Sequence, residues 1–199
     1  MCVIIVKKKG IELPSKDFLR SAARENPDGC GFATSSGEYF RSVNFERFWS
    51  EFSKRAKVED DIVIHFRWAT HGSVKMRNCH PFKGEVDGKA LFFAHNGVLP
   101  IESKNDMTDS EIYFRETALP YLTIEHGFTD LTDEVFEEDC MGSKFAFVSE
   151  EGLHLFGHWE QYKGLLLSNR RFLHTYEFLN RGGRMRSFYG ESKYAGVGF

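Results

Sequence analysis

The sequence predicts an α+β fold in which sheets form the core and helices cover them. Three observations carry this. Strand-type runs rich in Val, Ile, Leu and Phe open the chain and return in its last third. Amphipathic helical patterns lie between them. No internal repeat, low-complexity stretch or linker divides the 199 residues. Strands, then helices, then strands again build a layered α+β domain, and this length suits a single domain over 1–199.

The elements follow in order. Residues 2–6 (Cys-Val-Ile-Ile-Val) read as a buried strand that starts almost at the first atom of the chain. Residues 15–24 read as a short helix, stopped by Asn26-Pro27-Asp28-Gly29. Strands are expected at 30–34 and 39–43, with Gly37 in the turn between them. Across 45–57, Phe45, Phe48, Trp49, Phe52 and Ala56 recur at helical spacing with charges between them, the mark of a helix lying on a core. Ile62 to Trp68 reads as a strand, and 69–88, with Gly72, Pro81, Gly84 and Gly88, as a long polar loop. Ala90 to Ala94 is a buried strand ending in His95-Asn96-Gly97. Thr108-Asp109-Ser110-Glu111 is a capping box opening a helix to about Ala118. More helix is expected between 129 and 139, then strands at 144–149, 152–157, 164–168 and 171–175.

Composition bounds the function. A formal net charge of -3 and a pI near 6.2 argue against a nucleic-acid partner, whose binding domains are usually basic. No apolar run reaches the roughly 18 residues that span a membrane. The short apolar stretch Val3 to Val6 precedes Lys7, Lys8 and Lys9, the reverse of a signal peptide's order. The expected location is therefore the cytoplasm, where Cys2, Cys30, Cys79 and Cys140 stay reduced.

Cys2 stands apart by position. Removal of Met1 would leave it with a thiol and a free α-amine on one residue. An α-amine titrates near pH 7.7–8.0, which suits a general base. Nucleophile and base would then belong to the same residue. The alternative is a small buried hydrophobe in a strand.

Further segments join it: His65 to Gly72 (His-Phe-Arg-Trp-Ala-Thr-His-Gly), Asn78 to Phe82, His95-Asn96-Gly97 and Thr108 to Glu111. Together with Cys2, and in this order, they resemble the class II glutamine amidotransferases. Asn26 to Phe32 resembles a turn of small stand-alone members, and Arg67 to Gly72 the glutaminase domain of glucosamine-6-phosphate synthase. Gly142 to Phe147 and Leu165 to Asn169 resemble later strands of that domain. The resemblance covers residues 2–171, leaving 172–199 as a C-terminal tail. It implies the N-terminal-nucleophile hydrolase fold, a four-layer α-β-β-α sandwich.

The same resemblance implies the site. Cys2 is the nucleophile; Asn96, through its side-chain amide, and Gly97, through its backbone N–H, stabilise the oxyanion. Arg67, Trp68, Thr70, His71 and Asp109 bind the substrate glutamine. The chemistry is consistent with these residue types. A carboxylate is matched by a forked, permanently charged guanidinium, a substrate ammonium by a carboxylate, and a developing oxyanion by preorganised donors. Neither metal nor organic cofactor is implied. An ammonia-accepting synthase is the implied partner. The aromatic and basic residues of the tail read either as a docking surface for it or, the preferred reading, as aromatics that finish the core or lie flexible.

Three other readings stay open on residues alone. His65, His71, Cys79, His80 and His95 contain zinc-type ligands, though adjacent Cys79 and His80 would point opposite ways in an extended chain. An N-terminal-cysteine hydrolase could act on another acyl amide. If Met1 is retained, the chain reads as a non-catalytic module that binds an amino acid or a partner.

Overall fold

The computed structural model describes residues 2–69, 74–104, 106–123, 127–128, 131 and 134–181. Among the described residues, ten strands form two antiparallel sheets. The first sheet contains β1 (Val3–Lys7), β2 (Cys30–Thr34), β3 (Tyr39–Ser42), β4 (Ile62–Phe66), β9 (Glu160–Tyr162) and β10 (Leu165–Leu167), in the order β3-β2-β4-β1-β10-β9. The second contains β5 (Phe82–Val86), β6 (Lys89–Asn96), β7 (Lys144–Ser149) and β8 (Gly152–Phe156), in sequence order. Helices α1 (Lys16–Glu25), α2 (Phe45–Arg55) and α6 (Leu173–Asn180) cover the first sheet. Helices α3 (Asp109–Tyr113), α4 (Leu119–Tyr121) and α5 (Glu134–Cys140) belong to the layer over the second.

Period-2 alternation explains how two sheets can both be buried. Val3 and Ile5 of β1 face the helices of the first layer, while Ile4 and Val6 face the other sheet. In β6, Leu91 and Phe93 face the second helical layer, and Phe92 and Ala94 face inward. Phenylalanines fill both helix–sheet interfaces. Phe32, Phe48, Phe52 and Phe66 pack on one side, and Phe93, Phe136, Phe145 and Phe147 on the other. Smaller residues, among them Ile4, Ala33, Val63, Ala94 and Ala146, line the space between the sheets. Three apolar interfaces between four layers give the expected α-β-β-α sandwich.

The helix ends match their local sequence. Ser15 caps α1 by accepting from the Phe18 N–H, and Asn44 caps α2 by accepting from the Arg47 N–H. Thr108 caps α3 by accepting from the Glu111 N–H. Glu111 pairs forward with Arg115, at 2.9 Å, which departs from the reciprocal half of a capping box. From α3 the chain continues through a π-helical stretch, Phe114–Ala118, into α4, so the helical region runs past Ala118. Of the helix expected at 129–139, residues 134–139 lie in α5, while 129, 130, 132 and 133 are outside the described residues.

Two expectations are corrected. The polar loop at 69–88 contains a 3-10 turn, Met76–Asn78, and an edge strand, β5. In β5 the alternation of Phe82, Gly84 and Val86 with Lys83 and Glu85 is broken by the missing side chain at Gly84. That glycine lies beneath Leu119 and Phe114, and a Cβ there would come within 2.6 Å of Leu119. The strand expected at 171–175 is instead the entry to α6. Phe172, Leu173 and Tyr176 share one face by helical spacing and pack beside Phe18 of α1. The sheet edge is supplied by β9, a short polar strand with no sequence signal.

Lys7 is 0% exposed, which is rare for lysine. Its Nζ donates to the carbonyls of Lys57 (3.0 Å), Val58 and Asp60 (2.7 Å). One ammonium thus satisfies three carbonyls of the turn between α2 and β4. It lies at the opposite end of β1 from Cys2.

Candidate active site

Strand register brings the motif residues to one end of the sandwich. β1 and β4 run antiparallel with Val3 opposite Phe66, so Cys2 lies across from the residues that follow β4. The Cys2 Sγ is 3.5 Å from the Trp68 carbonyl oxygen, to which it donates, and 3.4 Å from the Trp68 N–H, from which it accepts. β2 flanks β4 on its other side, and the Arg67 N–H donates to Gly29 O at 2.7 Å. Asp28 completes this edge. Its N–H donates to Arg67 O, and its carboxylate accepts from the Ala69 N–H at 2.8 Å.

Burial pushes the Cys2 thiol above its ordinary value; the Trp68 backbone hydrogen bond and the Arg67 charge offset this only in part. A thiol held in this way needs a base before it can attack. Arg67 is 3% exposed, so it lies inside the fold and not on its surface. Trp68, next to it, is 43% exposed.

From the second sheet, β6 delivers His95, Asn96 and then Gly97. Alternation sends Asn96 between the sheets, where its Nδ2 lies 2.7 Å from Ser168 Oγ. His95 turns the other way, and its Nδ1 lies 2.7 Å from Ser110 Oγ on α3. Gly97 is required by crowding. A Cβ there would lie 2.1 Å from Ser143 Oγ, 2.5 Å from Ser143 Cβ and 2.9 Å from His95 Nε2. Asp109 sits at the first position of α3. Its Oδ2 accepts from the Leu99 N–H at 2.9 Å, and its Oδ1 from the Ser110 N–H at 2.8 Å. Asp109 therefore anchors the loop that leaves Gly97.

Behind this edge lie three buried histidines. The rings of His65 and His80 are 4.3 Å apart between centroids. Burial lowers His65 to about 3 and His95 to about 4, and drives His80 well below its ordinary value. All three are neutral near pH 7. Cys79 points away from His80, toward Gly29 and the Ser42 carbonyl, as adjacent extended residues should. Among the described residues, no three His, Cys, Asp or Glu side chains are placed to hold a metal ion.

Cys2, Arg67, Trp68, Asn96, Gly97 and Asp109 thus belong to this one end of the fold. Thr70 and His71 lie outside the described residues. Two residues without an expected role join the group. Asn169 Nδ2 donates to Cys2 O at 2.8 Å, and Ser168 Oγ accepts from the Ile4 N–H at 2.8 Å. Their signal in the sequence is a polar Ser-Asn pair directly after the apolar run Leu165-Leu166-Leu167.

The family model described as "Glutamine amidotransferases class-II" matches residues 20–175. The chain belongs to the class II glutamine amidotransferases. An uncharacterised protein of Methanocaldococcus jannaschii is 28% identical over 199 residues, covering 90% of this chain and 54% of that protein. A protein of Haemophilus influenzae, named as a glutamine amidotransferase, is 45% identical over 49 residues, 25% of this chain and 16% of that one. Glutamine–fructose-6-phosphate aminotransferase of Arabidopsis thaliana is 35% identical over 92 residues, 45% of this chain and 11% of that one. The chain thus spans about half the length of the archaeal relative and far less of the other two. In fold, it is similar to the solved glutamine phosphoribosylpyrophosphate amidotransferase of B. subtilis, complexed with ADP and GMP. The TM-score is 0.58 at 15% identity, over 89% of this chain and 44% of that one. Among the described residues, no helix is long and apolar enough to cross a membrane.

Proposed function

We propose that this class II amidotransferase domain, spanning 1–199, hydrolyses the side-chain amide of glutamine with Cys2 as nucleophile. One observation carries the reading. The Cys2 thiol meets the Arg67–Trp68 backbone at the same end of the sandwich to which Asn96 and Gly97 are delivered from the other sheet. Removal of Met1 frees the Cys2 α-amine, which supplies the base that a thiol with a raised pKa requires.

The steps follow from the groups. The α-amine takes the thiol proton, and the sulfur attacks the amide carbon. The carbonyl electrons move to oxygen, where the Asn96 side-chain amide and the Gly97 N–H donate to them. The intermediate collapses, the C–N bond breaks, and the proton held by the amine goes to the leaving nitrogen to give ammonia. Water then attacks the glutamyl thioester, breaking its C–S bond to release glutamate and restore the thiol. Arg67 holds the substrate carboxylate and Asp109 its ammonium. Trp68, Thr70 and His71 complete the binding loop. The ammonia goes to an accepting synthase or to water. A cytoplasmic location completes the proposal.

The test is glutamate release from glutamine by purified protein, with intact mass reporting the loss of Met1. Release by the processed protein and none by Cys2→Ala supports the reading. Unchanged release by Cys2→Ala refutes it.

A further inference from the structure

We propose that Ser168 is a positioning residue that fixes which end of the Asn96 side-chain amide faces the substrate. The inference rests on the reading of Asn96 as the oxyanion donor and adds to it a residue that no motif assigns.

Asn96 and Ser168 are both buried, and among the described residues Asn96 Oδ1 has no hydrogen-bond partner. With the Asn96 nitrogen toward Ser168, the hydroxyl oxygen receives two N–H groups, from Ile4 and from Asn96. A hydroxyl has one hydrogen to give and two lone pairs to receive with. A half-turn of the Asn96 amide uses these groups better. The Ile4 N–H donates to Ser168 Oγ, the Ser168 hydroxyl donates to Asn96 Oδ1, and the Nδ2 hydrogens turn toward the side where no described residue partners the amide. That is the orientation an oxyanion donor needs.

The Ile4 N–H belongs to β1 and cannot reverse its direction, because it is a donor only. It occupies an acceptor site of Ser168 and leaves the hydroxyl hydrogen for Asn96. The backbone agrees, since the Ser168 N–H donates to Ile4 O at 3.0 Å and pins the residue to β1. Asn169 next to it holds Cys2 O. One dipeptide at the end of β10 therefore sets both the strand that carries the nucleophile and the amide that faces it across the sheets.

The test is a double-mutant cycle in glutamine hydrolysis. Ser168→Ala is expected to lower kcat at least about tenfold, because an amide free to turn no longer presents a fixed donor. KM for glutamine should stay within about twofold, because the groups that bind its carboxylate and ammonium are untouched. In an Asn96→Ala background the same change should cost nothing further. Ser168→Thr, which keeps the hydroxyl, should restore most of the rate. A Ser168→Ala loss that is fully additive with Asn96→Ala, or one confined to KM, overturns the proposal. Should the wild-type protein release no glutamate, the glutaminase reading fails by itself, and neutron diffraction from deuterated crystals decides the orientation independently. Deuterium on Ser168 Oγ directed at Asn96 Oδ1 is the expected result. Deuterium on Asn96 Nδ2 directed at Ser168 overturns the proposal.

Discussion

Gly97→Ala is expected to damage the site largely by a steric route that can be reversed in part. The added Cβ would lie 2.1 Å from Ser143 Oγ and 2.5 Å from Ser143 Cβ. A rotamer change at Ser143 moves the oxygen but leaves its Cβ in place, so backbone must shift at Gly97 or at Ser143. Such overpacking typically costs 1–3 kcal/mol of stability. The shift also moves the Gly97 N–H, and losing one oxyanion donor costs roughly 2.7–4 kcal/mol of barrier, or about a hundredfold to a thousandfold in kcat. Ser143→Gly removes both close contacts and leaves only His95 Nε2 at 2.9 Å. A Cβ at the Gly97 φ of +158° stays strained even with that space, so the double variant should recover only part of the stability and of the rate. Urea denaturation and glutamate release measure the two quantities on the same samples. A fully active, fully stable Gly97→Ala protein would refute the reasoning, and so would a double variant no better than the single one.

Three further outcomes are expected. Lys7→Met should destabilise the fold by roughly 2–5 kcal/mol, since three carbonyls lose their common donor; glutamine hydrolysis per folded molecule should not change. Arg67→Lys should raise KM for glutamine at least about tenfold with a smaller change in kcat, because an ammonium lacks the planar fork; an unchanged KM would remove Arg67 from the carboxylate. Stability should fall on acidification from about pH 6.5 toward 4: the folded state holds His65, His80 and His95 neutral, while the unfolded chain takes up their protons. Each contributes a slope approaching about 1.4 kcal/mol per pH unit within that window. Urea midpoints measured against pH should show that slope reduced by His95→Asn, and a flat profile would refute the buried neutral cluster.

The layers were legible in the sequence because alternation and helical spacing are local signals. Val3 to Val6 read as a strand buried on both faces, and that is how they sit. The order of the site motifs was also legible, since each follows a strand end or opens a helix. The remainder depends on partners distant in sequence. β5 escaped because Gly84 gives its side-chain space to Leu119, a contact that spacing cannot show. The segment after Phe172 read as a strand until its packing beside Phe18 fixed the helical face. Ser168 lies 72 residues from Asn96, and only the stacking of the two sheets brings them together. Lys7 heads the run Lys7-Lys8-Lys9, and nothing local marks it as buried, since its three carbonyl partners are 50 or more residues away.

The most direct test of the central claim is to quench the protein in acid during glutamine turnover and measure the mass of its N-terminal peptide. That peptide should begin at Cys2 and carry a glutamyl group on sulfur, absent from Asn96→Ala protein mixed and quenched at the earliest times. A turning-over enzyme whose N-terminal peptide still begins at Met1, or whose Cys2 never carries the glutamyl mass at any quench time, would contradict the account.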